Sequence, residues 1–259
     1  MGLFDFFTGK GGGNLAKTVT AANNKYAMSA DRYKAMERLR DAATDEALLG
    51  LLRRFTWNYD KTIEDEQEKE SVHDWLVAMA SDQDLDEKER AEQRERVIRA
   101  LEKSAASSET ISWQLRVMSH IASHEELWPS LEKVIAANDN EYVRDPSRKI
   151  QLVTFLGESF VDERATRALL QWLTDVDETV RYNAVEAVLH HKNEELGREP
   201  LLKLLLTSDE ESRRIRVRVL DGLADVGWTT HGWKGEVEAK IAELGLPHSI
   251  DNKGRVKKR

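Results

Sequence analysis

The sequence predicts an all-α protein built as an α-solenoid of tandem antiparallel helical hairpins. Only four prolines and fourteen glycines interrupt its 259 residues, which favours long helices over strands and turns. Apolar residues recur at steps of three and four, the spacing of one face of a helix. From about residue 108 onward, two series of apolar positions repeat every 32 to 35 residues, as expected when each hairpin buries a face of the next.

The amino-terminal residues 1–13 are predicted to be an apolar tip followed by a glycine-rich tether. The tip carries Phe4, Phe6 and Phe7, three rings that so short a segment cannot bury by itself. They either dock on the first hairpin, insert into a groove of a partner, or contact a membrane surface. The third alternative is the weakest because the apolar area is small and Asp5 interrupts it.

Residues 14–107 are predicted to form irregular helical hairpins that cap the array. One long helix is expected over 14–43, followed by shorter helices over 46–55 and 64–80. Residues 84–103 are highly charged with a thin apolar stripe, which is typical of a helix exposed on much of its circumference.

Residues 108–246 carry the regular repeats. Ser123 and Glu126 have the spacing of a capping box, as do Ser208 and Glu211, so each pair predicts the start of a helix. Two interleaved series at a common period indicate one helical hairpin per repeat. The series are Val134, Leu169 and Leu204, and Val153, Val185 and Leu220.

A family resemblance becomes specific at residues 177–188, Asp-Glu-Thr-Val-Arg-Tyr-Asn-Ala-Val-Glu-Ala-Val. They resemble the signature Asp-x-x-Val-Arg-x-x-Ala-x-x-Ala-Leu of the HEAT repeat, a unit of armadillo-type superhelices. Residues 145–153 and 212–223 are weaker copies. The resemblance extends over about 109–244 and fades over 30–103.

This resemblance implies that the motif helices line a concave face, with Lys149, Arg181 and Arg216 near the inner surface. It also implies a non-enzymatic scaffold or adaptor that engages in protein–protein interaction, and a mixed-charge groove suits an extended protein or peptide partner. The residues that we expect to contact the partner are Arg148, Arg181, Glu186, Arg213 and Arg216. The structural alternative for the arginines at 213 and 214 is pairing with the acidic residues at 209–211.

A nucleic-acid-binding or DNA-repair protein is the rival reading. HEAT-like DNA glycosylases use a basic groove with tryptophan, aspartate and arginine, and this chain offers the strip 213–218 and a basic tail. However, the net charge is −8, and outside the last eight residues 34 basic side chains face 47 acidic ones, a balance of −13 that repels phosphate. Trp113 and Trp172 lie on apolar stripes and are expected in the core.

Catalytic residues, cofactors and metal sites are not predicted. The absence of cysteine excludes thiolate ligands and nucleophiles. HEAT-like deoxyhypusine hydroxylases bind iron through repeated His-Glu pairs, and this chain has one such pair, His124-Glu125, which opens a predicted helix. His73-Asp74 and His190-His191 do not repeat it.

Residues 247–259 are predicted to be a basic, disordered tail. Its side chains Lys257, Lys258 and Arg259 contact acidic protein, nucleic acid or lipid headgroups, or serve only solubility. Residues 228–233 hold two tryptophans and are either a lid on the last hairpin or an exposed contact site. The sequence holds no apolar run of the ~20 residues that a membrane span needs, and we expect a cytoplasmic protein.

Overall fold

Helices joined by short polar turns make up nearly all of the structure, a computed structural model that describes residues 11–139 and 141–258. These residues form thirteen α-helices, two short 3₁₀ helices and one two-stranded hairpin, so the all-α prediction is confirmed. Phe4, Phe6, Phe7 and Arg259 lie outside the described residues. The chain divides into two compact units, Met1–Val134 and Ile135–Arg259.

The helices that begin in the first unit are the less regular ones in length and spacing. A 3₁₀ helix, Arg53–Thr56, extends the third of them. They are α1 Gly11–Ala22, α2 Ser29–Ala42, α3 Asp45–Leu52, α4 Thr62–Ala80, α5 Glu87–Ser107, α6 Ser112–Ile121 and α7 His124–Ala136.

The single long helix predicted over 14–43 is wrong, because a turn at residues 23–28 separates α1 from α2. Asn23 donates from Nδ2 to the carbonyl oxygens of Val19 and Gly50, both at 2.9 Å. The Asn24 side chain accepts from the backbone N–H of Tyr26. Asparagine side chains that bind nearby backbone in this way compete with the helical hydrogen bonds. The predicted tether is also too long, since α1 begins at Gly11.

The capping box predicted at Ser123 is confirmed. The Ser123 backbone N–H donates to Glu126 Oε2 at 2.9 Å, and the Glu126 N–H donates to Ser123 Oγ at 3.4 Å. The two groups satisfy donors that the first turn of α7 leaves unpaired.

The second unit repeats one pattern, in which α8, α10 and α12 pack in a row and the alternate helices α9 and α11 pack against them. Val153, Val185 and Leu220 occupy these three row helices and are all fully buried. The elements are α8 Ser147–Ser159, α9 Glu163–Leu169 with a 3₁₀ helix Leu170–Thr174, α10 Glu178–His191, α11 Glu194–Leu206, α12 Arg213–Val226, α13 Lys234–Glu243, β1 His248–Ile250 and β2 Val256–Lys258.

Small residues let the row helices approach closely. A Cβ added to Gly157 on α8 would lie 2.6 Å from Cβ and 3.1 Å from Cα of Ala187 on α10, and the Cα belongs to backbone that cannot rotate away. A Cβ added to Gly222 on α12 would overlap the buried side chain of Leu189 on α10. The glycines therefore fix the spacing of α8, α10 and α12.

The prediction of a disordered tail is wrong for residues 248–258, which form an antiparallel hairpin with Ile250 opposite Val256. Val256 is buried, and His248 Nε2 lies 3.0 Å from Asp221 Oδ1 on α12. The turn between the strands is built on Asp251, whose Oδ1 accepts from the backbone N–H groups of residues 253 and 255. Gly254 supplies the left-handed backbone conformation that ends the turn. The basic composition of this segment led to the prediction of disorder, although Asp251 and Gly254 are residue types that favour a tight turn.

The segment 228–233 closes over the last helices rather than standing free. Trp228 is buried, and its ring lies against the backbone of Gly197 on α11. The fully buried Thr230 donates from its backbone N–H and its Oγ1 to the carbonyl oxygen of Gly254 at 2.8 and 3.0 Å. These contacts match the lid alternative. Over the described residues, no helix is both long enough and apolar enough to cross a membrane.

Candidate functional site

Arg181, the arginine of the best-matching motif, is held by the loops that precede α10 and α12. Its Nε and Nη2 donate to the carboxylate of Glu210 at 2.7 and 3.1 Å. Its Nη1 donates to the carbonyl oxygens of Asp175 and Val176 at 2.8 and 3.0 Å. The hydrogen bond and charge of the buried Glu210 outweigh desolvation and raise the pKa of Arg181. The guanidinium thus joins two loops and offers little open contact surface.

Lys149, the base of the preceding copy of the motif, also joins two loops through its hydrogen bonds. Its Nζ donates to Asp175 Oδ2 at 2.8 Å and to the carbonyl oxygen of Glu141, and both charged side chains are buried. Asp175 and Glu210 are 35 residues apart, a spacing within the 32 to 35 residues that separate the buried apolar positions of the second unit. Lys149 and Arg181 therefore each bind an acidic residue of the loop that precedes the next helix of the row, and breaking such a buried pair is costly.

The capping box predicted at Ser208 is wrong, because the loop that follows Ser208 is bound to Arg181 and the helix begins later. α12 begins at Arg213, and Ser212 caps it by accepting from the Ile215 backbone N–H. Glu210 is turned inward to Arg181, so residues 208–211 form a loop and not a first helical turn.

Three further arginines predicted to contact a partner are also bound within the second unit. Arg213 donates to the carbonyl oxygens of Leu244 and Gly245 at 2.5 and 3.0 Å, not to the acids at 209–211. Arg216 is buried and donates from Nη2 to the carbonyl oxygen of Thr207 at 2.9 Å. Arg148 Nε donates to Asn138 Oδ1 at 3.0 Å, and burial lowers its pKa. Arg148, Arg181 and Arg216 are thus bound to internal partners, whereas Arg213 is exposed next to the two carbonyl groups that it contacts.

Glu186, the remaining predicted contact residue, belongs to a different group of side chains, which reach solvent on α8, α10 and α12. Arg218 forms an ion pair with its carboxylate, with Nη2 to Oε2 at 2.8 Å, and this hydrogen bond lowers the pKa of Glu186. The Arg214 guanidinium lies 3.7 Å from the ring centroid of Tyr182. We name this surface the α8–α10–α12 face. Its residues are Thr154, Glu158, Tyr182, Asn183, Glu186, His190, Arg214 and Arg218.

A groove of about 190 Å³ opens on the α8–α10–α12 face between α8 and α10. Its floor is Gly157 and Ala187, and its walls carry Thr154, Asn183 and Glu186. Sequence reasoning named Arg214 and Arg218 only as members of the basic strip 213–218, and it did not single out Tyr182. One residue along a helix turns the side chain by about 100°, so neighbours of an inward motif base point outward. Tyr182 directly follows Arg181, and Arg214 and Arg218 lie two residues before and after Arg216, which was the available clue.

In the first unit, five charged side chains form a buried network that sequence reasoning missed. Glu68 accepts from Arg32 Nη2 at 2.8 Å, from Arg54 Nε at 2.7 Å and from Ser29 Oγ at 3.0 Å. Asp65 accepts from Arg54 Nη2 and from Lys69 Nζ, both at 2.6 Å. The network joins α2, α4 and the 3₁₀ helix Arg53–Thr56.

Both carboxylates of this network stay ionised. Burial alone would raise the pKa of Glu68, but hydrogen bonds and charges from Arg32 and Arg54 outweigh it, and the pKa lies below the usual 4.5. Burial also opposes the shift at Asp65, where Lys69 and Arg54 lower the pKa below 3.8. Neither group is a proton donor near neutral pH, which indicates a structural role.

Acid should therefore destabilise the first unit. A carboxylate with a lowered folded-state pKa contributes its full stability above the unfolded-state pKa, and loses it as pH falls through the folded-state pKa. For Glu68 and Asp65 the loss begins below about pH 4.5. We expect the urea midpoint to fall between pH 6 and about pH 3, and to fall less in Glu68→Gln. An equal fall in the variant would contradict this assignment.

An acidic groove of about 680 Å³ lies on the surface of α2 and α4. Its walls carry Glu64, Glu66, Glu70 and Asp74, together with the exposed Ile63. No lysine or arginine lines it among the described residues, so the groove concentrates cations.

Comparison with known proteins does not assign a family. No family model and no curated protein matches the chain. Among solved structures, the chain is similar to an engineered protein determined by crystallography as a target of the Northeast Structural Genomics Consortium. The identity is 16% and the TM-score 0.33, over 90% of this chain and 85% of that one. This similarity assigns no function to the chain.

Proposed function

We propose that this protein is a non-enzymatic, cytoplasmic scaffold or adaptor, an α-solenoid of HEAT-like hairpins that binds a protein or peptide partner. The observation that carries the proposal is the α8–α10–α12 face, where a groove lies beside exposed side chains of both charges and an aromatic ring. The partner fills the groove between α8 and α10 and contacts Tyr182, Arg214 and Arg218.

The repetition of one set of contacts supports the HEAT-like assignment. Asp177 caps α10 by accepting from the backbone N–H groups of Thr179 and Val180. The base that follows it, Arg181, binds the acidic loop of the next repeat, as Lys149 does one repeat earlier. Repetition of the same contacts along the chain allows each hairpin to bury a face of its neighbour.

The chemistry of the face suits a peptide with both charges. Arginine and tyrosine are the residue types that most often dominate binding energy at protein interfaces. Arg214 stacks on Tyr182 and keeps its N–H groups for a ligand carboxylate or carbonyl, while Arg218 and Glu186 already hold each other in place. The rival nucleic-acid reading is less well supported, because Arg213, Arg216 and Arg218 of the basic strip have internal partners.

Site-specific crosslinking tests this proposal. A photoreactive amino acid at Asn183, in the groove, is expected to capture a protein from the lysate of the native host, whereas one at the exposed Glu195 on α11 does not. With the captured partner identified by mass spectrometry and purified, Arg214→Glu should weaken binding by about 10- to 100-fold.

Arg167→Glu is the matched control, since it makes the same charge change at an exposed site on α9. Equal binding by both variants would remove the α8–α10–α12 face from the proposal. Capture that is lost after nuclease treatment would favour the nucleic-acid reading instead.

A further inference from the structure

Four side chains with metal-binding atoms meet between α4 and α6 in the first unit. Glu70, His73 and Asp74 lie on one face of α4, at spacings of three and four, and one ligand atom from each lies within 4.8 Å of the others. His120, 47 residues further along the chain, adds a second imidazole from the last turn of α6.

The His73 ring is oriented as a ligand by its neighbours. Its Nδ1 lies 2.9 Å from Asp74 Oδ1, and an ionised carboxylate only accepts hydrogen bonds, so Nδ1 carries the proton. Nε2 therefore presents a lone pair, and it faces His120 Nδ1 at 2.7 Å. A carboxylate that fixes the tautomer of a histidine in this way is a recurrent support of metal sites.

Aromatic packing holds the site in place. His73 is buried, and the edge of its ring contacts Trp113, with ring centroids 6.3 Å apart. Trp113 in turn stacks on Phe55 at 5.5 Å. Arg116, one turn before His120, donates to Glu70 Oε1 at 2.8 Å and so positions that carboxylate. The His73 ligand atom thus needs little reorganisation.

We propose that Glu70, His73 and His120 bind a divalent transition-metal ion of the Zn²⁺ type, with Asp74 as the residue that orients His73. Two imidazoles and a carboxylate are a ligand set that Zn²⁺ accepts, with water in the fourth position. Zn–N bonds of about 2.0–2.1 Å at a tetrahedral angle separate two nitrogens by about 3.3 Å. The two rings must therefore part by about 0.6 Å relative to the hydrogen-bonded pair. The proton that His120 Nδ1 donates to His73 must also move to His120 Nε2, which the exposure of His120 to solvent allows.

The surroundings of the site are acidic. Glu70 and Asp74 line the acidic groove, which opens the site to solvent and attracts cations. The proposed metal site is far in sequence from the α8–α10–α12 face, and metal binding does not depend on the proposed binding of a peptide there.

Titration of the full chain with Zn²⁺ alone, in competition with a chromophoric chelator, tests the proposal. One equivalent is expected to bind, and Co²⁺ in its place should give the visible absorption of a four-coordinate ion. His120→Ala should weaken Zn²⁺ binding at least 100-fold, and Asp74→Asn by about 10- to 100-fold. His231→Ala, which removes an exposed histidine in the second unit, is the matched control and should bind normally.

Substitution of the exposed His120 does not disturb the core, so weakened binding in that variant is assigned to the site and not to misfolding. If wild type and His120→Ala bind Zn²⁺ equally, or if Co²⁺ remains octahedral in the wild-type chain, the proposal is overturned.

Discussion

Replacing Glu68 with glutamine is expected to destabilise the Met1–Val134 unit by about 3–5 kcal/mol, the cost of removing one member of a buried ion pair. The glutamine keeps the shape of the side chain but removes the negative charge that both Arg32 and Arg54 contact. Two guanidinium groups then remain buried with Asp65 as the nearby carboxylate. Thermal unfolding followed by circular dichroism should show a transition lowered by about 10 °C or more.

Glu66→Gln is the control for this experiment, because Glu66 is exposed on the same helix. Its transition should move by less than about 0.5 kcal/mol, as is usual for surface substitutions. A Glu68→Gln protein as stable as Glu66→Gln would show that the network is not needed to hold α2 against α4.

Replacing Val185 with aspartate should destabilise the second unit by a similar or larger amount, about 3–5 kcal/mol. Val185 is fully buried at the centre of α10, between α8 and α12. A carboxylate there either stays charged without a partner or takes up a proton at an unfavourable pKa, and each costs several kcal/mol. The urea unfolding transition of the variant is therefore expected to have a lower midpoint than that of the wild-type chain.

Thr179→Asp provides the comparison, since it introduces the same side chain on the exposed surface of the first turn of α10. A negative charge there is compatible with the helix macrodipole and should leave the midpoint unchanged or slightly raised. An unaltered midpoint in Val185→Asp would contradict the assignment of Val153, Val185 and Leu220 to a common buried series.

The elements that sequence reasoning located well are those encoded by local pattern. The buried series at 153, 185 and 220 follows from apolar periodicity, and the start of α7 follows from Ser123 and Glu126, which are three residues apart. Residues 23–28 were missed because the apolar spacing continues across the turn, while the two asparagine side chains bind backbone that a continuous helix would use.

The candidate sites depended on contacts between residues far apart in sequence. Lys149 and Arg181 have motif positions that suggested an open surface, yet each is satisfied by an acid 26 or 29 residues away. The carboxyl-terminal hairpin shows the same limit. Its basic composition indicated disorder, whereas burial of Val256 and the contact of His248 with Asp221 hold it on α12.

The sequence by itself determined that the described chain is helical, which faces of the helices are apolar, and that apolar positions of the second unit recur every 32 to 35 residues. These properties follow from the composition and spacing of neighbouring residues, which act through the geometry of a single helix. Only the tertiary structure decided which charged groups are buried together, as with Glu68 and its two arginines, and that His73 meets His120. Their pairing depends on distances between helices, because the electrostatic and hydrogen-bond energies involved are decided within a few ångströms.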